Sequence, residues 1–172
     1  FFHLTQLRVQ ELIKLIFYRE IYCLNEKIDF NMCGLAGIIG KYSSAERDLM
    51  LKSMEHRGPD FNDTFKYKNL TLSHSRLSII DLDSKSNQPF TIGNHTIVFN
   101  GEIYNFLGLK EILLSEGHQF QTDGDTEVLL LWLIHKGIEC VNEVEGMFAF
   151  SWFNKITKEL ILCRDSLGIK PL

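Results

Sequence analysis

The feature that most constrains the fold is the short link between two apolar runs near the end of the sequence. The runs at 147–153 and 159–163 are separated only by residues 154–158. A link of this length suits a hairpin and is too short for the crossover that parallel strands require. The pair therefore predicts two antiparallel strands.

Other segments predict a mixture of strands and helices. Period-two alternation predicts a strand over 70–80, and short apolar runs predict strands at 35–39 and 96–99, the last ended by the turn pair Asn100–Gly101. Helical spacing predicts helices at 44–55 (capped by Ser44), 106–116 and 126–136. Hairpin-like links are as frequent as helical ones, which favours an α+β fold over a doubly wound parallel sheet.

Composition excludes several classes of protein. The 172 residues suit one domain, and the net charge of −4 gives no electrostatic reason to expect nucleic acid or an anionic membrane as a partner. The four cysteines, Cys23, Cys33, Cys140 and Cys163, have neither disulfide-framework nor metal-ligand spacing. We expect reduced thiols in a cytoplasmic protein, with no metal site and no cofactor in this segment.

Residues 1–31 differ from the rest, being rich in large apolar side chains and lacking glycine and proline. One interpretation is an amphipathic helix packed on the domain or on a partner. The other, which we favour, is that they are absent from the working protein, through a later translation start or cleavage. Charged residues interrupt every apolar run, so neither a membrane span nor a signal-peptide core is predicted.

Cys33 is a candidate nucleophile because it directly follows Met32, the first methionine in the sequence. Removal of an initiating Met32 would leave Cys33 with a free α-amino group, whose pKa is roughly 7.7–8.0. One residue would then supply both nucleophile and general base. The alternative is an inert cysteine opening a buried strand.

Asn100 and Gly101 are candidates for binding an oxyanion. A side-chain amide and a backbone N–H can converge on one oxygen, as attack on an amide carbonyl requires. Glu102, the next residue, could bind a substrate ammonium group. The alternative is an ordinary tight turn after a strand.

Arg76 and Asp125 form a third candidate constellation. Arg76 shares its strand face with apolar residues, so its charge needs a partner or a ligand. Asp125 stands at a helix start, where an N-cap is the simplest interpretation. Together they could hold the carboxylate and ammonium of a free amino acid.

Eight motifs in order resemble the class II glutamine amidotransferase domain, and most closely that of the glutamine-hydrolysing asparagine synthetases. They are MCGLAGIIG (32–40), HRGPD (56–60), RLSIIDL (76–82), QPF (88–90), NGEIYN (100–105), DGDTEVLL (123–130), GMFAF (146–150) and RDSLGIKPL (164–172). The resemblance covers residues 32–172.

The resemblance implies an N-terminal-nucleophile hydrolase fold, a four-layer α/β/β/α sandwich, and hydrolysis of glutamine to glutamate and ammonia. It assigns the roles as follows: Cys33 as the nucleophile that forms a thioester; Asn100 and Gly101 as the oxyanion hole; Arg76 for the α-carboxylate; backbone groups of Leu77, Ser78, Ile79 and Ile80 as pocket lining; Glu102 and Asp125 for the α-amino group.

The resemblance also implies a longer protein, in which a C-terminal synthetase domain uses ATP and Mg²⁺ to amidate aspartate. We expect such a domain after residue 172, with a homodimer as one assembly open to the full-length enzyme. Two alternatives stay open at this point. The ammonia acceptor could differ, or the chain could be a non-catalytic remnant that retains residues 1–31.

Overall fold

The computed structural model describes residues 3–8, 15–17, 33–77 and 84–172. In chain order the elements are β1 (His3–Arg8), β2 (Leu15–Phe17), β3 (Gly34–Ile39), α1 (Ser44–Met54), β4 (Phe61–Tyr67), β5 (Leu70–Arg76), a 3₁₀ turn (Ser84–Ser86), β6 (Phe90–Ile92), β7 (His95–Ile103), α2 (Phe106–Ser115), α3 (Asp125–Lys136), a second 3₁₀ segment (Ile138–Glu143), β8 (Gly146–Asn154) and β9 (Glu159–Arg164).

The strands form two antiparallel sheets, one of five strands in the order β1-β9-β8-β7-β6 and one of four in the order β2-β3-β5-β4. This confirms the predicted α+β class. The predicted hairpin is β8 and β9, paired from Ala149 opposite Arg164 to Asn154 opposite Glu159.

Alternation along the strands divides the apolar side chains between two faces of each sheet. The facing sides of the sheets share one core cluster, which includes Leu35, Leu70 and Leu72 from the smaller sheet and Val98, Ala149 and Phe153 from the larger. The outer face of the larger sheet packs on α2 and α3, and that of the smaller packs on α1. Each sheet thus buries both faces, with helices outermost.

The helical interpretation of the first residues is wrong where the structure describes them. The backbone of His3–Arg8 pairs with β9, and that of Leu15–Phe17 pairs with β3. These two strands satisfy backbone groups at sheet edges that would otherwise be unpaired, which a helix would not do. Residues 9–14 and 18–32 lie outside the described residues, and the absence of residues 1–31 from the working protein stays a prediction.

Helix boundaries agree with the predictions to within a residue or two, with one correction. The N-cap of α1 is Ser43, not Ser44, and Ser43 and Glu46 form a reciprocal capping box. Within the described ranges, no helix has the length and apolar character needed to cross a membrane.

The predicted turn at Asn100 and Gly101 is wrong. Both residues lie inside β7, where they pair with Ala149 and Phe148 of β8. The long partner strand outweighs the local turn preference of an Asn-Gly pair, because pairing satisfies every second backbone group along the segment. The strand predicted over 70–80 is also shorter than expected, since β5 ends at Arg76.

Candidate functional site

A cavity of about 200 Å³ is lined by the start of β3 and the end of β5 from the smaller sheet and by the second half of β7 from the larger sheet. Its lining includes most of the residues that the sequence singled out: Cys33, Arg76, Leu77, Asn100, Gly101, Glu102 and Asp125. Ser78, Ile79 and Ile80 lie outside the described residues. The two sheets and α3 therefore bring together groups that are up to 92 positions apart, from Cys33 to Asp125.

The Cys33 thiol lies against the residue that follows β5. Its Sγ accepts a hydrogen bond from the Leu77 N–H at 3.3 Å and lies 3.4 Å from the Leu77 carbonyl oxygen, to which the thiol can donate. Burial raises the pKa of this thiol, although the Leu77 backbone and the charges of Arg76 and Lys170 oppose that effect. A nucleophilic role for Cys33 therefore requires a base that removes the thiol proton.

Arg76 is buried on the side of β5 that faces the other sheet, as the alternation predicted. It is only 7% exposed, and its Nη1 donates to Asn87 Oδ1 at 2.6 Å. Arg76 lines the cavity, and a guanidinium can hold a carboxylate through two parallel hydrogen bonds. Arg76 therefore brings positive charge to the cavity.

The backbone of β7 presents a row of N–H groups on the edge that faces away from β8. The Phe99 N–H donates to Gln88 Oε1 at 2.6 Å, and the Ile103 N–H donates to Asp125 Oδ2 at 3.0 Å. Backbone groups of a strand alternate in direction with a period of two. The N–H of Gly101 therefore points to the same side, into the cavity that Gly101 lines.

The partner strand gives the same direction for the Gly101 N–H. Phe148, opposite Gly101, directs its own N–H to Asp165 Oδ2 and receives a bond from the Asp165 N–H, both on the β9 side. Gly101 and Phe148 are thus a non-hydrogen-bonded pair, in which the strands approach most closely. A Cβ on Gly101 would lie 2.2 Å from the Met147 carbonyl oxygen, so glycine is required at this position.

Asp125 does not act as the predicted N-cap. Gly124 occupies that position, and Asp125 is the first residue of α3, with its carboxylate turned to β7. Burial raises the pKa of Asp125 to about 6, and the charge of Glu102 adds to this while the Ile103 N–H opposes it. Glu102 and Asp125 form a negative end of the cavity that suits an ammonium group.

Two of the lining residues that received no role from the sequence are large polar side chains. Gln88 and Lys170 are both buried, and both stand in motifs that were used only for the resemblance, QPF and RDSLGIKPL. Burial lowers the pKa of the Lys170 ammonium, and the charge of Glu102 opposes that shift. The backbone N–H of Lys170 donates to the Asp165 carboxylate, which holds this turn against β8. The sequence signal that could have identified these two residues was a polar side chain within a motif that supports the resemblance.

HRGPD (56–60), which the sequence analysis used only for the resemblance, also reaches the site. Arg57 Nε donates to the Cys33 carbonyl oxygen at 3.4 Å, and Gly58 packs on the backbone of Ser75 so closely that a Cβ would be 2.3 Å from its oxygen. The motif therefore supports the segment that carries the thiol. Across the part of the chain that the structure describes, no group of three or more potential metal ligands is present.

Comparison with known proteins gives one family and a consistent set of relatives. Residues 32–172 match the family model described as "Glutamine amidotransferase domain". The chain is 41% identical over 150 residues to asparagine synthetase [glutamine-hydrolyzing] 1 of Bacillus subtilis, covering 82% of this chain and 24% of the relative.

Two further relatives carry similar names. A putative asparagine synthetase [glutamine-hydrolyzing] 2 of Methanocaldococcus jannaschii is 42% identical over 164 residues, covering 81% of this chain and 31% of the relative. Asparagine synthetase [glutamine-hydrolyzing] 3 of Arabidopsis thaliana is 38% identical over 148 residues, covering 82% and 25%. The chain thus spans between a quarter and a third of the length of these relatives.

Proposed function

Since the chain belongs to the glutamine amidotransferase domain family, we propose that it hydrolyses glutamine to glutamate and ammonia, with Cys33 as the nucleophile. The observation that carries the proposal is the single cavity in which a thiol, an inward-facing backbone N–H and charges of both signs line one space. A free amino acid with a side-chain amide fits that set of groups.

The charges support one orientation of glutamine in the cavity. Arg76 receives the α-carboxylate, and Glu102 and Asp125 receive the α-ammonium group. Leu77 lines the same cavity. This orientation leaves the side-chain amide to extend towards Cys33.

In the proposed reaction the Cys33 sulfur attacks the γ-carbonyl carbon, and its proton passes to the base. The resulting oxyanion is held by the Gly101 N–H and the Asn100 side-chain amide, donors worth a few kcal/mol each in such sites. Collapse breaks the C–N bond, the base returns its proton to the departing nitrogen, and ammonia leaves a thioester on Cys33. Water then cleaves the thioester to glutamate and restores the thiol.

The proposed base is the α-amino group of Cys33 itself. Burial raises the pKa of the thiol, so a preformed thiolate does not account for the nucleophile. A free α-amine titrates near neutrality, whereas a peptide nitrogen is not basic. The match to the family model begins at Met32, directly before Cys33. We therefore propose that residues 1–31 and Met32 are absent from the active form.

The fold and the relatives support a wider assignment. Two stacked antiparallel sheets with helices on both outer faces suit the four-layer N-terminal-nucleophile hydrolase fold. We propose that the ammonia passes to a synthetase domain that uses ATP and Mg²⁺ to amidate aspartate, and the relatives' names, asparagine synthetase [glutamine-hydrolyzing], support the synthetase part of this proposal. Cys33, Cys140 and Cys163 are free thiols, which suits the cytoplasmic location that we propose.

The decisive experiment compares three proteins expressed from Met32. The first has the natural sequence, the second has an alanine inserted between Met32 and Cys33, and the third carries Cys33→Ala. Intact mass identifies the first residue of each, circular dichroism verifies folding, and ammonia release from glutamine measures activity.

We expect activity only in the first protein. The inserted alanine keeps the thiol but converts its neighbouring amine into an amide, so it tests the base separately from the nucleophile. Equal ammonia release from the Cys33→Ala protein would refute the nucleophile. Full activity of the alanine-extended protein would refute the base.

A further inference from the structure

Gln88 is a buried residue whose side-chain amide is bonded at both ends. It is 6% exposed, its Oε1 accepts from the Phe99 N–H at 2.6 Å, and its Nε2 donates to Thr126 Oγ1 at 3.3 Å. Phe99 lies in β7 two residues before Gly101, and Thr126 lies in α3 directly after Asp125. One amide thus joins the strand of the oxyanion donor to the helix of the ammonium-binding carboxylate.

The edge of β7 needs such a support at this point. Among the described strands only β6 pairs with that edge, and the register of β6 ends where Phe90 meets Ile97. From Phe99 onward, side chains replace the missing strand. Gln88 takes the Phe99 N–H, and His74 Nε2 donates to the Phe99 carbonyl oxygen at 3.1 Å. Both polar groups of the Phe99 backbone are therefore held by side chains from outside the sheet.

We propose that Gln88 is a positioning residue for the glutamine hydrolysis proposed above, on which this inference rests: its amide holds β7 against α3 so that the Gly101 N–H points at the γ-carbonyl oxygen of the substrate. Gln88 acts through the backbone of Phe99. A strand segment two residues long transmits any displacement of Phe99 to Gly101, and a misplacement of about 1 Å in a reacting group can cost roughly 100-fold in rate.

The alternative is that Gln88 contacts glutamine directly, because it also lines the cavity. The two roles differ in kinetics. Loss of a contact made equally in ground and transition states raises KM, whereas loss of oxyanion alignment lowers kcat. L-Norvaline, which has the α-carboxylate and α-ammonium groups but no γ-carbonyl, separates them further as a competitive inhibitor.

The experiment uses Gln88→Met, Gln88→Glu and a control, Thr91→Val. Met keeps the length of the side chain and removes both hydrogen bonds, whereas Glu keeps an acceptor for the Phe99 N–H. Thr91→Val removes a side-chain hydrogen bond between β6 and the other end of β7, where Thr91 and Thr96 hydroxyls lie 2.9 Å apart. The control measures the effect of a lost hydrogen bond on the same strand, away from Gly101.

Amide hydrogen exchange of the full chain tests the hydrogen bond without reference to activity. We expect exchange at Phe99 to accelerate about tenfold or more in Gln88→Met, and to keep its wild-type rate in Gln88→Glu and Thr91→Val. Unchanged exchange at Phe99 in Gln88→Met would overturn the inference, whatever the activity.

Kinetics are then measured in the form of the protein that the preceding experiment finds active. We expect Gln88→Met to lower kcat about 10- to 100-fold with KM and norvaline inhibition close to wild type, and Gln88→Glu to restore most of kcat. A raised KM with unchanged kcat would overturn the positioning role in favour of direct contact, and unchanged kinetics would overturn it outright. An inactive wild type would instead refute the proposed function and remove the basis of this inference, while the exchange result would still report on the hydrogen bond.

Discussion

Substitution of Gly101 by alanine tests both the contact between β7 and β8 and the proposed oxyanion donor. The added Cβ would lie 2.2 Å from the Met147 carbonyl oxygen and 2.7 Å from the Phe148 Cα. Ordinary contact begins near 3.4 Å, so the strands must separate by about 1 Å. The obstructing atoms belong to backbone, which cannot change rotamer to make room.

The magnitude follows from these contacts. Overpacking in a core costs about 1–3 kcal/mol, and we expect the upper end, about 3 kcal/mol of unfolding free energy, because β8 is held on its other side by β9. The same displacement moves the Gly101 N–H away from the substrate. Loss of one oxyanion donor lowers kcat by roughly 100- to 1,000-fold.

Urea unfolding and steady-state ammonia release measure the two effects, and Gly108→Ala is the matched control. Gly108 lies within α2, and a Cβ there meets no atom within 4 Å. The control should gain about 0.5–1 kcal/mol from helix propensity and keep its kcat. Wild-type kcat in Gly101→Ala would refute the donor role, and wild-type stability would refute the close contact between the strands.

Three further predictions concern charge and protonation. Because burial raises the pKa of Asp125 to about 6, we expect kcat/KM for glutamine to fall as the pH drops through about 6. Asp125→Asn should have a low kcat/KM and a pH profile without an inflection near 6. An inflection that persists in this variant would assign it to another group. Arg76→Met should raise the KM for glutamine about 10- to 100-fold with a much smaller change in kcat, because the hydrogen bonds from Arg76 to the α-carboxylate are lost in ground and transition states alike. An unchanged KM would show that Arg76 does not bind the carboxylate. Burial lowers the pKa of His74 to about 3, below the value of about 6.5 expected for the unfolded chain, so between these values only the unfolded state binds the proton. The free energy of unfolding measured in urea should therefore fall as the pH drops from about 6.5 towards 3. The fall should be smaller in His74→Gln, and equal slopes in both proteins would contradict the assignment to His74.

The spacing of apolar residues was sufficient to predict the strands and helices that are buried and that follow a single period. The β8–β9 hairpin and helices α2 and α3 were predicted to within a residue or two because their apolar side chains repeat at strand or helix spacing. Strand β4 was missed, since it lies at the edge of its sheet and is half exposed along its length, which leaves no clean alternation. The short strand β6 was missed as well.

The residues of the candidate site also divide into those that the sequence could suggest and those whose placement it could not predict. The residue types of Cys33, Arg76 and Asp125 were enough to suggest a nucleophile and a pair of charges for an amino acid, and their meeting in one cavity could not be read from the sequence. Asn100 and Gly101 were chosen as two donors that could converge on one oxygen, and the turn in which the sequence placed them is wrong. Gly101 lines the cavity with its N–H because none of the described strands pairs with that edge of β7 at this point.

The sequence alone determined the helices α1 to α3, the buried strands with regular apolar spacing, and which side chains are chemically able to act, because these depend on neighbours within a few positions of the chain. Only the tertiary structure decided the strand pairing that turns the Gly101 N–H inward, the contact of Asp125 with β7 and the bridge made by Gln88. These depend on contacts between residues 11 to 47 positions apart, which the stacking of two sheets and a helix selects by excluding water and satisfying buried polar groups.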